Sequence, residues 1–317
     1  MNIRNILRDW TLPVAMLCGT LSYLLFAFTP ALSSASALLE PLFVASMPLC
    51  MFLILFVTFC KVDFHQMRPE GWHLRVAVAQ LAMVAVVTLA ILTLFGEGEE
   101  KVLCEGVLMC IIGPTASAAA VVTTKLGGNL GSMTTYTFIS NLLTALLIPT
   151  LFPLIEKSAD ISFSQAFMMI LQRVAVVLVV PLLCAYVVRH WLPSLQARIV
   201  GVRDLGFYLW AFCLAVVTGT TVKSIVHSSA SLSLLAAIAV SSLVVCAVQF
   251  LLGKRIGRPY GSSINAGQAL GQKNTTFAIW IAYTYLNPVS SIGPGCYILW
   301  QNIVNSLELW QARKPLA

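Results

Sequence analysis

Six consecutive residues, Gly271-Gln272-Lys273-Asn274-Thr275-Thr276, interrupt an otherwise apolar stretch, and none carries a large apolar side chain. Lys273 brings three N–H donors and a full positive charge. Gln272 and Asn274 bring amides that donate and accept, and the two threonines bring hydroxyls. This is the chemistry of an anion site, or of an ammonium coordinated by backbone carbonyls. A second interruption reads Gly113-Pro114-Thr115-Ala116-Ser117. Pro114 has no N–H and clashes with the preceding turn, so a helix kinks or breaks there. A broken helix exposes free N–H groups at the start of one half, which suit an anion. It exposes free carbonyls at the end of the other, which with the hydroxyls of Thr115 and Ser117 suit a cation. Two further places hold polar side chains among apolar ones: Gln80 in VAVAQLAMV, and Thr137 with Asn141 one turn later on the same helical face.

The elements that must position these groups are membrane helices. Of 317 residues, 59% are apolar and 10% charged, against roughly 45–50% and about 25% in soluble domains. That excludes a soluble enzyme and a disordered chain. The net charge of +7 comes from scattered Lys and Arg, which excludes a nucleic-acid-binding face. Ten stretches are long and apolar enough to cross a bilayer: 11–30, 41–60, 74–95, 102–122, 130–152, 165–188, 205–222, 232–252, 263–284 and 290–309. The loops between them are too short for a soluble domain. With the N-terminus on one side, fourteen of the nineteen Lys and Arg residues fall on that side and three on the other, while Arg173 and Lys273 lie inside spans. By the positive-inside rule both termini are cytoplasmic, and the short tails suggest a bacterial inner membrane. Arg4, Arg8 and the apolar stretch that follows also fit a signal peptide. The repeat described next requires that stretch as a span.

Divided into halves of about 1–158 and 159–317, the chain has five spans in each, and the two interrupted spans are the fourth of each half. Five is odd, so the second half enters the membrane from the opposite side. This is the pattern of an inverted repeat within one transmembrane domain, with the substrate site where the broken helices meet at the midplane. A Gly-Pro pair alone can be a simple kink, and Gln80 or Asn141 can be helix–helix bonds. Arg173 fits a side chain snorkelling to the surface. A lysine inside a span points to function.

At these two interruptions the chain resembles the bile acid:sodium symporter family. The family's fourth helix carries Gly-x-Thr-Ala-Ser-Asn, and here Gly113-Pro114-Thr115-Ala116-Ser117 is followed by Ala118. Its ninth carries Glu-x-Gly-x-Gln-Asn, and here the run is Ala269-Leu270-Gly271-Gln272-Lys273-Asn274. Gln80 resembles its third-helix glutamine, and Thr137, Ser140 and Asn141 its fifth-helix ligands. The resemblance implies an all-α fold of ten transmembrane helices in two inverted five-helix repeats, with helices 4 and 9 crossing at the midplane. It implies alternating-access transport of a small organic anion. In the family two sodium ions bind beside this crossing. Here two oxygen ligands and a carboxylate are replaced by Ala118, Ala269 and Lys273. An ammonium 4 Å from a sodium ion opposes it by about 4 kcal/mol at an effective dielectric of about 20.

The expectation is therefore that Lys273 stands in for a sodium ion. Thr115, Ser117, Lys273, Asn274, Thr275 and Thr276 are the central binding residues, with Gln272, Gln80, Thr137 and Asn141 around them. A residual sodium site at Ser117, Thr137 and Gln80 stays open, as do a passive channel and a non-transporting sensor. No catalytic residue, cofactor, protein partner or nucleic acid is implied; the partners are the anion and the lipid bilayer. The sequence holds no HExxH, GxSxG, Walker or GxGxxG pattern and no CxxC pair among its nine cysteines.

Overall fold

The computed structural model describes residues 10–62, 67–156, 163–174, 176, 179–202 and 204–312. Arg4, Arg8, the repeat boundary near residue 158 and the Arg173 side chain lie outside the described residues. The described chain is helical: α1 (Thr11–Phe28), α2 (Ser33–Lys61), α3 (Gly71–Leu94), α4 (Glu99–Ile112), α5 (Ser117–Lys125), α6 (Leu130–Ile155), α7 (Phe163–Val174), α8 (Val180–Trp191), α9 (Pro193–Gly201), α10 (Leu205–Val226), α11 (Leu232–Gly257), α12 (Ser263–Gly271), α13 (Thr275–Tyr285) and α14 (Ile292–Ala312). Six of these, α1, α3, α6, α10, the part of α2 from Pro41 and α11 with the turn after it, are each long and apolar enough to cross a membrane. Helix also occupies most of the described residues in the remaining stretches. The fourth is divided into α4 and α5, the sixth is carried by α7 and α8, and the ninth is divided into α12 and α13.

Local sequence explains the ends. Asn129 caps α6 by accepting from the Ser132 N–H at 2.9 Å, and Ser231 caps α11 by accepting from the Leu234 N–H at 3.2 Å. Helix α5 stops at Gly127, whose φ of +84° is a left-handed conformation that terminates helices and favours glycine.

The helices form two compact units. One comprises Met1–Lys61, Val177–His227 and Asn302–Ala317; the other comprises Val62–Val176 and Ser228–Gln301. In the first, α10 packs on α1 and α2, and α2 packs on α8. The approach of α1 to α10 requires Gly19, because a Cβ there would lie 2.0 Å from the Ala215 carbonyl oxygen. In the second, α11 packs along α12 and against α4. Its apolar core is drawn from α3, α4, α6 and α13, with Val84, Leu108, Ile112, Ile148, Phe152 and Ile281 buried together. Both interrupted helices belong to this second unit.

Candidate functional site

The two interruptions meet. Thr115 and Lys273 form an isolated antiparallel bridge, in which the Ala116 N–H donates to the Gln272 carbonyl at 2.9 Å and the Asn274 N–H to the Pro114 carbonyl at 2.8 Å. Four half-helix ends therefore converge: the C-terminal ends of α4 and α12, where carbonyls are freed, and the N-terminal ends of α5 and α13, where N–H groups are freed.

In the apolar interior each freed backbone group needs a partner, and the side chains around the crossing supply them. Pro114 cannot donate to the Cys110 carbonyl four residues back. Gln249 of α11 does so instead, at 3.0 Å. The Ile111 carbonyl accepts from Gln80 Nε2 at 3.1 Å, which also reaches the Ile112 and Gly113 carbonyls at 3.4 and 3.3 Å. Thr144 donates to the Ile112 carbonyl at 2.9 Å. Ser140 accepts from the Thr115 N–H at 2.9 Å.

The second break contains no proline, and its partners hold it open. Thr115 Oγ1 donates to the Ala269 carbonyl at 2.8 Å, and the Tyr297 hydroxyl donates to the Gly271 carbonyl at 2.7 Å. Gln301 of α14 binds the Lys273 backbone at both ends. Its Oε1 accepts from the Lys273 N–H at 2.8 Å, and its Nε2 donates to the Lys273 carbonyl at 3.2 Å. Asn274 caps α13 by accepting from the Phe277 N–H at 3.2 Å.

Some side chains are left over. Lys273 is 1% exposed and Gln272 is fully buried. Among the described residues, neither the Lys273 Nζ nor either end of the Gln272 amide has a hydrogen-bond partner, and the same holds for Gln80 Oε1. The Gln272 backbone is extended, with φ −96° and ψ 101°, so the side chains of Gln272 and Lys273 point to opposite sides of the crossing.

The sequence-selected residues thus divide into two groups. Thr115, Gln272, Lys273 and Asn274 lie at the crossing itself, and Ser117 and Thr275 are buried at the starts of α5 and α13. Thr276 is half-buried on the first turn of α13. Thr137 and Asn141 bond within α6 instead. Thr137 Oγ1 donates to the Met133 carbonyl at 3.0 Å, and Asn141 Nδ2 to the Thr137 carbonyl at 2.8 Å. Ser140 and Thr144 are the α6 side chains that reach the break. Gln249, Tyr297 and Gln301 were not among the expected site residues. The two glutamines carry the same signal as Gln80, an amide within an apolar helix.

The second unit also holds a cavity of about 350 Å³ lined by Glu97, Glu99, Glu105 and Glu156, with Lys101 among them. Lys101 Nζ bonds Glu97 at 2.8 Å and Glu156 at 3.2 Å. Burial opposes its charge, but the two carboxylates outweigh this and hold its pKa above the ordinary lysine value.

Apolar helices and two interrupted ones joined at a polar crossing define an integral, multi-pass membrane protein. Residues 48–228 match the sodium bile acid symporter family, and the chain belongs to that family. The matched stretch contains Gln80, Thr115, Ser117, Thr137 and Asn141 and ends before Lys273. Comparison with curated proteins gives no match.

Proposed function

We propose that the protein is a secondary transporter of a small organic anion, in which the Lys273 ammonium takes the place of a coupled sodium ion. The observation that carries this reading is a buried Lys273 amine, without a hydrogen-bond partner among the described residues, at the crossing of two interrupted helices. This chain lacks two oxygen ligands of the family pattern, whose places are taken by Ala118 and Ala269, both buried. The fixed cation of Lys273, at the crossing beside the C-terminal ends of α4 and α12, favours an anion nearby. Ser117, Asn274, Thr275 and Thr276, at the starts of α5 and α13, supply donors to that anion. The ten stretches are ten spans, arranged as two inverted five-helix repeats with cytoplasmic termini, and transport proceeds by alternating access around the crossing.

The reading divides by coupling. If Lys273 releases its proton in each cycle, transport is proton-coupled; if it keeps the proton, the protein is a uniporter or exchanger. A sodium-coupled cycle is the second reading, favoured by the buried and unbonded Gln80 Oε1 and by the family's sodium dependence. Ligand panels on the purified protein, run in sodium and in choline buffer, identify the anion. A ligand at 100 times its Kd stabilises the fold by about 2.7 kcal/mol. Uptake of that anion into proteoliposomes then tests the role of Lys273. The wild type takes it up without sodium, and Lys273→Gln either loses uptake or becomes sodium-dependent. Unchanged, sodium-insensitive uptake by Lys273→Gln refutes the surrogate cation, and sodium-dependent uptake by the wild type favours the second reading.

A further inference from the structure

In the second unit a chain of hydrogen bonds joins the starts of α3, α6 and α12, and no part of the transport reading uses it. Glu70 precedes α3, and its N–H donates to His73 Nδ1 at 3.0 Å. His73 Nε2 is 3.1 Å from Ser132 Oγ, on the first turn of α6. The Ser132 N–H donates to Asn129 Oδ1 at 2.9 Å. Asn129 and Asn265, on the first turn of α12, bond each other twice. The Asn129 N–H donates to Asn265 Oδ1 at 2.9 Å, and Asn265 Nδ2 donates to the Asn129 carbonyl at 2.7 Å. His73, Ser132 and Asn265 are buried. The chain therefore ends on the N-terminal half of the second interrupted helix. On the proposed topology this end of the unit faces the cytoplasm.

The bond from Glu70 fixes the state of the imidazole. A backbone N–H can only donate, so His73 Nδ1 carries no proton, and the proton of the neutral ring is on Nε2, where it donates to Ser132. A second proton can only go to Nδ1, where it meets the Glu70 N–H. That bond then breaks and the ring turns away. Among the described residues, Glu70 is the charged group that acts on the ring, and its Oε2 accepts from Trp72 Nε1 at 2.9 Å. Trp72 and Tyr136 pack on the ring at 4.1 and 5.9 Å between ring centres, and both are uncharged. Arg75 lies over the Tyr260 ring instead, at 5.2 Å. A carboxylate oxygen accepts more than one bond, so the Glu70 carboxylate is the partner for an imidazolium, and reaching it draws the ring off Ser132. We infer that His73 is a pH-sensitive latch between the starts of α3 and α6. It is closed while the ring is neutral. Acid opens it, freeing the first turn of α6 and with it the hold of Asn129 on α12. An ordinary imidazole changes charge near pH 6.5.

The test is hydrogen–deuterium exchange of the full chain in detergent, stepped from pH 8 to pH 5, read by mass spectrometry and corrected for the intrinsic pH dependence of exchange. It needs no transport substrate, so it stands apart from the transport reading. In the wild type, peptides covering 69–74 and 130–135 lose protection about tenfold on acidification, while peptides from α10 keep theirs. His73→Asn puts an amide oxygen where Nδ1 stood, which accepts from the Glu70 N–H at every pH, and its protection is constant. Glu70→Gln removes the anion that draws the imidazolium, so opening moves to lower pH. Constant protection in the wild type overturns the inference, as does an equal loss in α10 or a loss confined to 69–74. An undiminished pH response in His73→Asn also overturns it. If His73→Asn does not fold, Glu70→Gln decides: opening at the wild-type pH overturns the latch.

Discussion

Gln301 is the side chain whose removal tests the crossing most directly. It is buried and holds both the N–H and the carbonyl of Lys273. Gln301→Met keeps the length of the side chain and removes the amide. Interhelical hydrogen bonds in membrane proteins average only about 0.6 kcal/mol, because the unfolded chain in the membrane finds other partners; two of them come to about 1.2 kcal/mol. The Lys273 groups are in a different position. The Lys273 carbonyl still accepts from the Thr275 N–H at 2.9 Å, but the break has removed the helical partner of the Lys273 N–H, so without Gln301 that group stays buried and unpaired, at about 1–3 kcal/mol. The expected loss is about 1–3 kcal/mol, read from reversible unfolding in mixed micelles. Thr284→Val is the control. Its hydroxyl donates to the Trp280 carbonyl within one uninterrupted helix at 2.8 Å, and that carbonyl lies mid-helix in α13, so the loss is expected below about 0.5 kcal/mol. If Gln301→Met costs no more than Thr284→Val, the crossing does not depend on side chains to satisfy its backbone, and the account of the second break is wrong.

Three further substitutions probe the same unit. Thr115→Val removes the side-chain donor to the Ala269 carbonyl and is expected to cost about 1–3 kcal/mol, whereas Thr137→Val, whose hydroxyl serves its own helix, costs less than about 0.5 kcal/mol in the same assay. Gly293→Ala places a Cβ 2.6 Å from the Gly106 carbonyl oxygen, which is backbone and cannot rotate away. It is expected to destabilise by about 1–3 kcal/mol, and a thermal midpoint equal to that of the wild type refutes the close approach.

How much of this was legible in the sequence depends on the residue. Pro114 announces its break, because a residue without an N–H cannot continue a helix. The second break has no such residue, and only its run of polar side chains gives it away. The partners were harder to find. A hydroxyl or amide on a helix bonds its own carbonyl four residues back as readily as a neighbour, so the sequence does not say which α6 residues turn to the break. Thr137 and Asn141 bond inward and Ser140 and Thr144 outward, although all four lie within two turns. Gln249 and Gln301 were legible by the argument that singled out Gln80. Each is an amide in an apolar helix, where an unpaired amide is costly. The division into two compact units, each built from separate parts of the chain, was not legible, because it depends on which apolar faces pack together.

The charge at Lys273 also decides how transport responds to voltage. Under the proton-coupled form of the proposal, each cycle carries one proton and one monovalent anion, so no net charge crosses. A cycle that carries two sodium ions with that anion moves one positive charge. One charge crossing 100 mV is worth about 2.3 kcal/mol, or about fiftyfold in accumulation. Proteoliposomes with a potassium diffusion potential set by valinomycin separate the two. With the substrate anion and a fixed pH gradient, accumulation by the wild type is expected to change less than about twofold between zero and an inside-negative 100 mV. Collapsing the pH gradient abolishes it. Accumulation that rises more than about tenfold with the potential means that net positive charge enters with the anion. In that case Lys273 does not replace the driving ion, and the sodium-coupled reading holds.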